Sequence, residues 1–153
     1  MASRDRVIAR HPRLTIIGAH YGSHETDLNA LADRFDRFAN FFADTSARLG
    51  DIVLLARKDH EGTREFFVRY ADQILWGVDW VLTSPASAMT NEARGTLARA
   101  LRTHYELEWR FFTTAVEMEI NNHPVRGLAL PKAVISRLFA ENALRVYPRL
   151  IDS

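Results

Sequence analysis

The sequence predicts an α/β fold in which a parallel β-sheet is covered by helices. Short apolar runs rich in β-branched and aromatic residues alternate with amphipathic stretches, and the connections between the runs are too long for hairpins. The composition, with 47% hydrophobic and 25% charged residues, is typical of a chain that buries a core. At 153 residues the chain has room for one domain.

The first part of the chain predicts a helix, a strand and a second helix. The amphipathic stretch 4–10 predicts a short helix that ends before His11-Pro12, because proline disfavours helical backbone in the preceding residue. The apolar run 14–19 predicts a strand buried on both faces. Over 25–38 the apolar residues recur at spacings of three and four, so they share one face of a helix.

The same order of strand and helix then repeats. The run 41–43 predicts a second buried strand, with a polar turn over 44–48 and a helix over 63–70. A third strand is predicted over 74–78, and the small and polar residues 83–91 predict a loop.

The remainder of the chain predicts helices. Residues 91–119 have a helical pattern that Gly95 weakens near its beginning. Pro131 stands where the first turn of a last helix is expected, since proline is favoured there. The apolar positions of that helix are Val134, Ile135, Leu138, Phe139 and Leu144.

A residue able to bind a metal or carry a proton follows each predicted strand. These residues are His20, Asp44 and Asp79. The carboxyl ends of parallel strands meet at one edge of a sheet, so we expect the three side chains to emerge together. Active sites lie at that edge in doubly wound sheets and in (β/α) barrels alike, and the periodicity leaves both folds open.

Four segments resemble, in order and spacing, the carboxyl-terminal half of the amidohydrolase-related family. This family comprises metal-dependent hydrolases and decarboxylases similar to aminocarboxymuconate-semialdehyde decarboxylase. The segments are HPRLTIIGAHYGS, FANFFADTSARL, YADQILWGVDWV and GLALPKAVISRLFAENALRVYP. The most specific pieces are the H-x-G after the first strand, the G-x-D after the third and the terminal E-N-A-L-R-V-Y-P.

The resemblance implies a fold and a set of site residues. The fold would be a partial (β/α)8 TIM barrel, containing strands six to eight with their helices and further C-terminal helices. Asp79 would be a catalytic residue that binds the metal and handles the proton of the nucleophilic water. His20 would be catalytic, contacting metal-bound water or substrate and ligating metal in two-metal relatives. Tyr21 and Trp80 each adjoin one of these residues in the chain and are expected to line the substrate pocket. Asp44 is expected either to line that pocket or to serve as a structural cap.

The resemblance also implies a divalent metal. Zinc is favoured, with manganese or iron as alternatives, because nitrogen and oxygen ligands discriminate weakly among these ions. The predicted function is metal-dependent hydrolysis or nonoxidative decarboxylation of a small carboxylate, amide or lactone through metal-activated water.

One departure from the family suggests a fragment. Such enzymes carry an H-x-H at their first strand, whereas no two of the 6 histidines here are separated by one residue. Since a full barrel takes about 250 residues, we expect residues 1–153 to be the C-terminal part of an amidohydrolase-type domain whose N-terminal half is absent. With at most two ligands, the chain by itself is expected to bind metal weakly or not at all and to be inactive.

A non-catalytic half-barrel module is the alternative, and it would self-associate or pair with a separately encoded N-terminal half. Three strands that do not close a barrel leave two unpaired edges. Their barrel-facing side chains, such as Ile16, Phe42 and Leu75, would also lack an opposite wall. An exposed apolar patch of this kind predicts a homo-oligomer.

Several other classes find no support in the sequence. The chain has no cysteine, and it contains no G-x-G-x-x-G, P-loop or G-x-S-x-G motif. A formal net charge of +1 gives no field that would attract nucleic acid or an anionic membrane. No apolar run has the length of a membrane span, and the charged start does not resemble a secretory signal. We therefore expect a cytoplasmic protein.

Overall fold

Three parallel strands form the central sheet of the protein. The computed structural model describes residues 2–24, 26–82 and 85–147. The strands are β1 (Ile16–Gly18), β2 (Phe41–Asp44) and β3 (Ile74–Leu75), in the order β1-β2-β3. The register places Ile17 beside Phe42 and Ala43 beside Ile74. The predicted α/β chain with a parallel sheet is confirmed, and the described strands do not close into a barrel.

Helices connect and follow the strands. The helical elements are α1 (Ala2–Arg10), the short turn α2 (Ala19–Ser23), α3 (Leu28–Arg37), α4 (Leu49–Lys58), α5 (His60–Arg69), α6 (Asn91–Thr113), α7 (Lys132–Ser136) and α8 (Asn142–Val146). A 3₁₀ turn covers Ala86–Ala88, and a π-helical turn over Arg137–Glu141 joins α7 to α8. None of the described helices is both long enough and apolar enough to cross a bilayer.

Side-chain caps determine where three of these helices begin. Asp27 accepts from Ala30 N at 3.0 Å, and Thr90 accepts from Ala93 N at 3.2 Å. Asp59 accepts from Gly62 N at 2.9 Å and thereby starts α5 one residue after α4 has ended. The connection from β2 to β3 therefore contains two helices, where the sequence pattern predicts one.

The face of the sheet toward α3 and α5 carries an aromatic core. Phe41 is 3% exposed, and its ring centroid lies 5.8 Å from that of Phe35. The ring of Tyr70 is tilted against those of Phe35 and Phe66, with centroid distances of 5.2 Å and 5.1 Å. Packing of this kind holds α3 and α5 on the sheet.

The expectation that the other face is bare was wrong for Phe42 and Leu75, and Ile16 does not belong to that face because it pairs with Phe41. Phe42 is 8% exposed and Leu75 is 4% exposed. The Arg145 guanidinium lies 5.1 Å from the centroid of the Phe42 ring. Asn142 donates to the backbone oxygens of Ala71 and Ile74, both at 2.7 Å. The C-terminal helices therefore pack against the strand ends, which the strand pattern by itself does not reveal.

A β-hairpin replaces the last part of the long helix predicted over 91–119. The helix α6 ends at Thr113, and β4 (Glu117–Ile120) pairs antiparallel with β5 (His123–Arg126). Asn121 and Asn122 have φ of 52° and 63°, as two-residue hairpin turns require. This Asn-Asn pair is the local signal that helical periodicity overlooks.

Candidate metal site at the strand ends

The turn α2 carries His20 to the carboxyl end of β1. Its backbone is left-handed, with φ of 56° at His20, 54° at Tyr21 and 60° at Gly22. A Cβ atom at Gly18 would lie 2.7 Å from Gly22 Cα and 2.8 Å from Phe41 Cζ. Gly22, the glycine of the H-x-G motif, and Gly18 therefore let this turn pack directly on the core.

The imidazole of His20 is held in one tautomer. Its Nδ1 lies 2.7 Å from the backbone oxygen of Ser46, which can only accept, so Nδ1 carries the proton. The other ring nitrogen, Nε2, then presents a lone pair. This backbone hydrogen bond is the kind of support that orients a metal-binding histidine.

Asp79 faces that lone pair. Its Oδ2 lies 3.7 Å from His20 Nε2, and the two side chains are 48% and 35% exposed. The separation is too long for a strong hydrogen bond. Two ligands of one tetrahedral zinc lie roughly 3.3 Å apart, because each is about 2.0–2.2 Å from the ion. The two atoms are therefore close to the spacing that a shared cation requires.

Asp44 braces the histidine turn. Its Oδ1 accepts from His20 N at 2.9 Å, from Ser46 N at 3.2 Å and from the Ser46 hydroxyl. This carboxylate oxygen therefore ties the end of β1 to the end of β2. Ser46 contacts both Asp44 and His20, and sequence reasoning passed over it because it lies in a polar turn.

The segment that carries Asp79 is joined to β2 on one side. Thr45 Oγ1 accepts from Gly77 N at 3.1 Å and donates to Gly77 O at 3.2 Å. Ala47 N donates to Val78 O at 3.3 Å. Asp79 itself has a φ of 56°. The structure thus brings His20, Asp44 and Asp79 together at one edge of the sheet.

The two predicted aromatic lining residues lie in different surroundings. Tyr21 is 0% exposed and packs edge-on against Phe67, with ring centroids 6.4 Å apart. Its ring belongs to the core, because the left-handed turn directs His20 outward and Tyr21 inward, so it offers no surface to a substrate. Trp80 is 41% exposed and lies next to Asp79 in the chain.

A buried carboxylate beside this segment was missed by sequence reasoning. Glu108 of α6 is 4% exposed and accepts from Trp76 Nε1. His104 Nε2 lies 3.0 Å from Glu108 Oε1. Burial raises the pKa of Glu108, although the hydrogen bond from Trp76 and the pairing with His104 oppose that rise. The spacing of four residues between His104 and Glu108 is the only sequence signal for this pair.

The donor set suits a divalent cation but does not complete its coordination. An imidazole nitrogen and a carboxylate oxygen are both ligands of zinc, manganese and iron. Among the described residues, no cluster of three or more histidine, aspartate or glutamate side chains could hold a metal ion. His20 and Asp79 therefore supply two donors where a catalytic zinc commonly has three protein ligands.

Comparison with known proteins identifies one family. The family model described as amidohydrolase matches residues 1–149. No curated protein and no solved structure matches the chain.

Proposed function

The chain belongs to the amidohydrolase family, and from this membership we propose that it supplies strand ends of a divalent-metal-dependent hydrolase or nonoxidative decarboxylase. The substrate class proposed is a small carboxylate, amide or lactone. In this proposal the three strands correspond to strands six to eight of a (β/α)8 barrel, and residues 1–153 belong to its carboxyl-terminal part.

The observation that carries the proposal is the geometry of His20 and Asp79. Their Nε2 and Oδ2 atoms face each other at 3.7 Å on a solvent-open edge, and the backbone of Ser46 fixes the ring of His20. When bound there, a divalent cation supplies Lewis acidity and lowers the pKa of a water ligand. Asp79 binds the cation and accepts a proton from the attacking water. His20 orients the water or the substrate through Nε2.

Two donors imply that something else completes the site. Since three protein ligands are usual for a catalytic zinc, the remaining ligands come from polypeptide outside the described residues. Zinc is the ion we favour, with manganese and iron as alternatives that the same donors accept. In this proposal the chain by itself is inactive. Asp44 and Trp80 would line the substrate pocket of the completed site.

A non-catalytic module remains a second candidate because of the sheet edges. In the order β1-β2-β3, neither the outer edge of β1 nor that of β3 is paired with another strand in the described part of the chain. Exposed strand edges favour pairing with further polypeptide. In this case the chain would self-associate or bind a separate barrel half, without a metal.

Metal titration separates the two candidates. Zinc is titrated into the chain while the His20 ring resonances are followed by NMR, with Asp79→Asn as the site variant. Glu65→Gln, an exposed carboxylate on α5, is the matched control. We expect weak zinc binding that Asp79→Asn weakens about 10-fold or more and that Glu65→Gln leaves unchanged. Equal affinity in wild type and Asp79→Asn would reject the proposed site.

A further inference from the structure

Glu108 contacts the beginning of the Asp79 segment through Trp76. Trp76 donates its indole N–H to Glu108 Oε2. Trp76 also stacks on Phe139, with centroids 5.1 Å apart, and packs edge-on against Tyr105 at 5.5 Å. The aromatic neighbours enclose the indole, and the carboxylate of Glu108 determines where its N–H points.

His104 extends the contact to the other end of the same segment. Its Nε2 lies 3.0 Å from Glu108 Oε1, and its ring centroid lies 5.7 Å from that of Trp80. One turn of α6 therefore contacts Trp76 and Trp80, the two aromatic residues that flank Gly77, Val78 and Asp79.

The segment between these tryptophans needs such support. The strand β3 ends at Leu75, so no sheet ladder extends to Asp79. Asp79 has a left-handed φ of 56°, a backbone conformation that residues other than glycine seldom adopt without surrounding contacts. Thr45 and Ala47 hold the segment on the β2 side, and Trp76 N donates to Leu138 O at 2.8 Å at its beginning.

We propose that the His104–Glu108 pair is a positioning unit, which keeps the Asp79 carboxylate facing His20 by anchoring Trp76 and Trp80. The pair acts through these two side chains and does not touch the reacting atoms. Removing the carboxylate leaves the partly buried indole N–H of Trp76 without its acceptor and the imidazole of His104 without its partner. The catalytic role of the pair rests on the proposed function, whereas the position of the Asp79 carboxylate is measurable in the metal-free chain.

The test compares Glu108→Ala with Glu108→Gln. Glutamine retains the length of the side chain and an acceptor oxygen for Trp76, so it should restore what alanine removes. Glu106→Ala is the control for an exposed carboxylate on the same helix. Phe66→Leu, in the aromatic core of α3 and α5, is the control for a loss of stability away from the segment.

Two measurements are made on each variant. The first is the nuclear Overhauser effect between His20 Hε1 and the Asp79 Hβ protons without metal, and the second is the zinc dissociation constant from the His20 ring resonances. In Glu108→Ala we expect loss of the Overhauser effect and about 10-fold weaker zinc binding, the low end for residues that support a metal ligand. Glu108→Gln and both controls should retain the wild-type Overhauser effect and zinc dissociation constant. Phe66→Leu should do so although its melting temperature is lower.

The outcomes separate the inference from the proposed function. An unchanged Overhauser effect in Glu108→Ala would overturn the positioning role, even if Asp79→Asn abolishes zinc binding. Unchanged zinc binding in Asp79→Asn would overturn the proposed metal site, while the Overhauser effect still decides the positioning. If Glu108→Ala does not fold, His104→Phe retains a ring against Trp80 but loses the contact with Glu108. Wild-type geometry in that variant would equally reject the pair.

Discussion

At the scale of single residues, Asp44 supports the site by holding His20 in place. The carboxylate that faces His20 Nε2 is that of Asp79. One of its oxygens accepts three hydrogen bonds, from His20 N and from the backbone and hydroxyl of Ser46. Because these bonds hold both the turn and the Ser46 carbonyl that fixes the His20 ring, the position of Nε2 depends on them.

Replacing Asp44 should therefore affect stability and metal binding together. Asp44→Ala is expected to lower the free energy of unfolding by about 1–3 kcal/mol, because buried donors lose a charged acceptor. Urea denaturation measures this loss, and zinc titration should show weaker binding in the same variant. Asp33 pairs with Arg37 on the surface of α3, so Asp33→Ala should change stability by less than about 1 kcal/mol. Equal losses in both variants would contradict the bracing role.

The buried histidine His24 is 6% exposed and accepts from Arg34 Nη1 at 2.6 Å. Its pKa lies below 6.5, first because of burial and then because of the charges of Arg34 and Arg4, against the opposing effect of Asp27 and Asp5. The unfolded chain thus takes up this proton at higher pH than the folded chain. Stability from this group is complete above about pH 6.5 and is lost as the pH falls below that value.

The pH dependence can be assigned to His24 by one substitution. His24→Gln keeps a side-chain acceptor for Arg34 and removes the titration. We expect the free energy of unfolding of wild type to fall between pH 7 and pH 5 by up to about 1.4 kcal/mol per unit, and the slope to be smaller in His24→Gln. His11→Gln, an exposed control, should retain the wild-type slope. Parallel curves for all three proteins would show that His24 is not the group responsible.

At the scale of elements, the left-handed turn α2 converts a strand end into a site. It places His20 at the open edge and Tyr21 in the core through successive residues with positive φ. Such a turn is possible only where neighbouring backbone can approach closely, and Gly18 provides that approach to Gly22 and Phe41.

Two glycine substitutions should have opposite effects on stability. Gly18→Ala adds a Cβ that would lie 2.7 Å from Gly22 Cα, so we expect a loss of about 1–3 kcal/mol. Gly95→Ala lies in α6, where the nearest atom to the new Cβ is the flexible end of Arg99 at 3.5 Å. There alanine should add about 0.5–1 kcal/mol through helix propensity. Chemical denaturation measures both, and a Gly18→Ala protein as stable as wild type would contradict the packing of the turn.

At the scale of the whole molecule, an apolar groove of about 490 Å³ begins at Trp80, the residue after Asp79, and is also lined by Val81, Leu82, Met89 and Leu97 among others. Trp80, Val81 and Leu82 are 41%, 73% and 46% exposed. Contiguous apolar surface of this kind favours association. The proposed homo-oligomer therefore has its best-supported contact here, since Phe42 and Leu75 are already covered.

Self-association should respond to a charge placed on this surface. Val81→Asp is expected to raise the dissociation constant of an oligomer about tenfold or more, which corresponds to a loss of about 1.4 kcal/mol of binding free energy. Light scattering over a dilution series measures it. Leu54→Asp, at a 48% exposed position on α4, is the control and should associate like wild type. A wild-type chain that is monomeric at all concentrations would remove the homo-oligomer from consideration.

The isolated chain is expected to show no catalytic turnover. With two donors from His20 and Asp79, we expect zinc-supplemented protein to show no hydrolysis or decarboxylation above that of the Asp79→Asn control. Small carboxylates, amides and lactones form the substrate panel, and product formation is measured by chromatography. Turnover in wild type that Asp79→Asn abolishes would contradict the need for further ligands while supporting Asp79 itself.

Local pattern in the sequence by itself determined the alternation of strands and helices and the residues at the strand ends. The runs around Ile17, Phe42 and Ile74 form strands because apolar and β-branched side chains favour a buried sheet. His20 and Asp44 then meet because parallel strands end at one edge, and Asp79 reaches the same edge through the four residues that follow β3. Each of these inferences needs only the order of neighbouring residues.

Tertiary structure alone decided what supports that edge. The contacts of Ser46 with His20, of Glu108 with Trp76 and of Arg145 with Phe42 span 26, 32 and about 100 residues. Periodicity over a few turns carries no information about such pairs, because their energy arises only once distant segments have packed together. For the same reason the sequence predicted that Tyr21 lines the pocket beside His20, whereas the packing of the left-handed turn on Phe41 places His20 at the open edge and Tyr21 in the core.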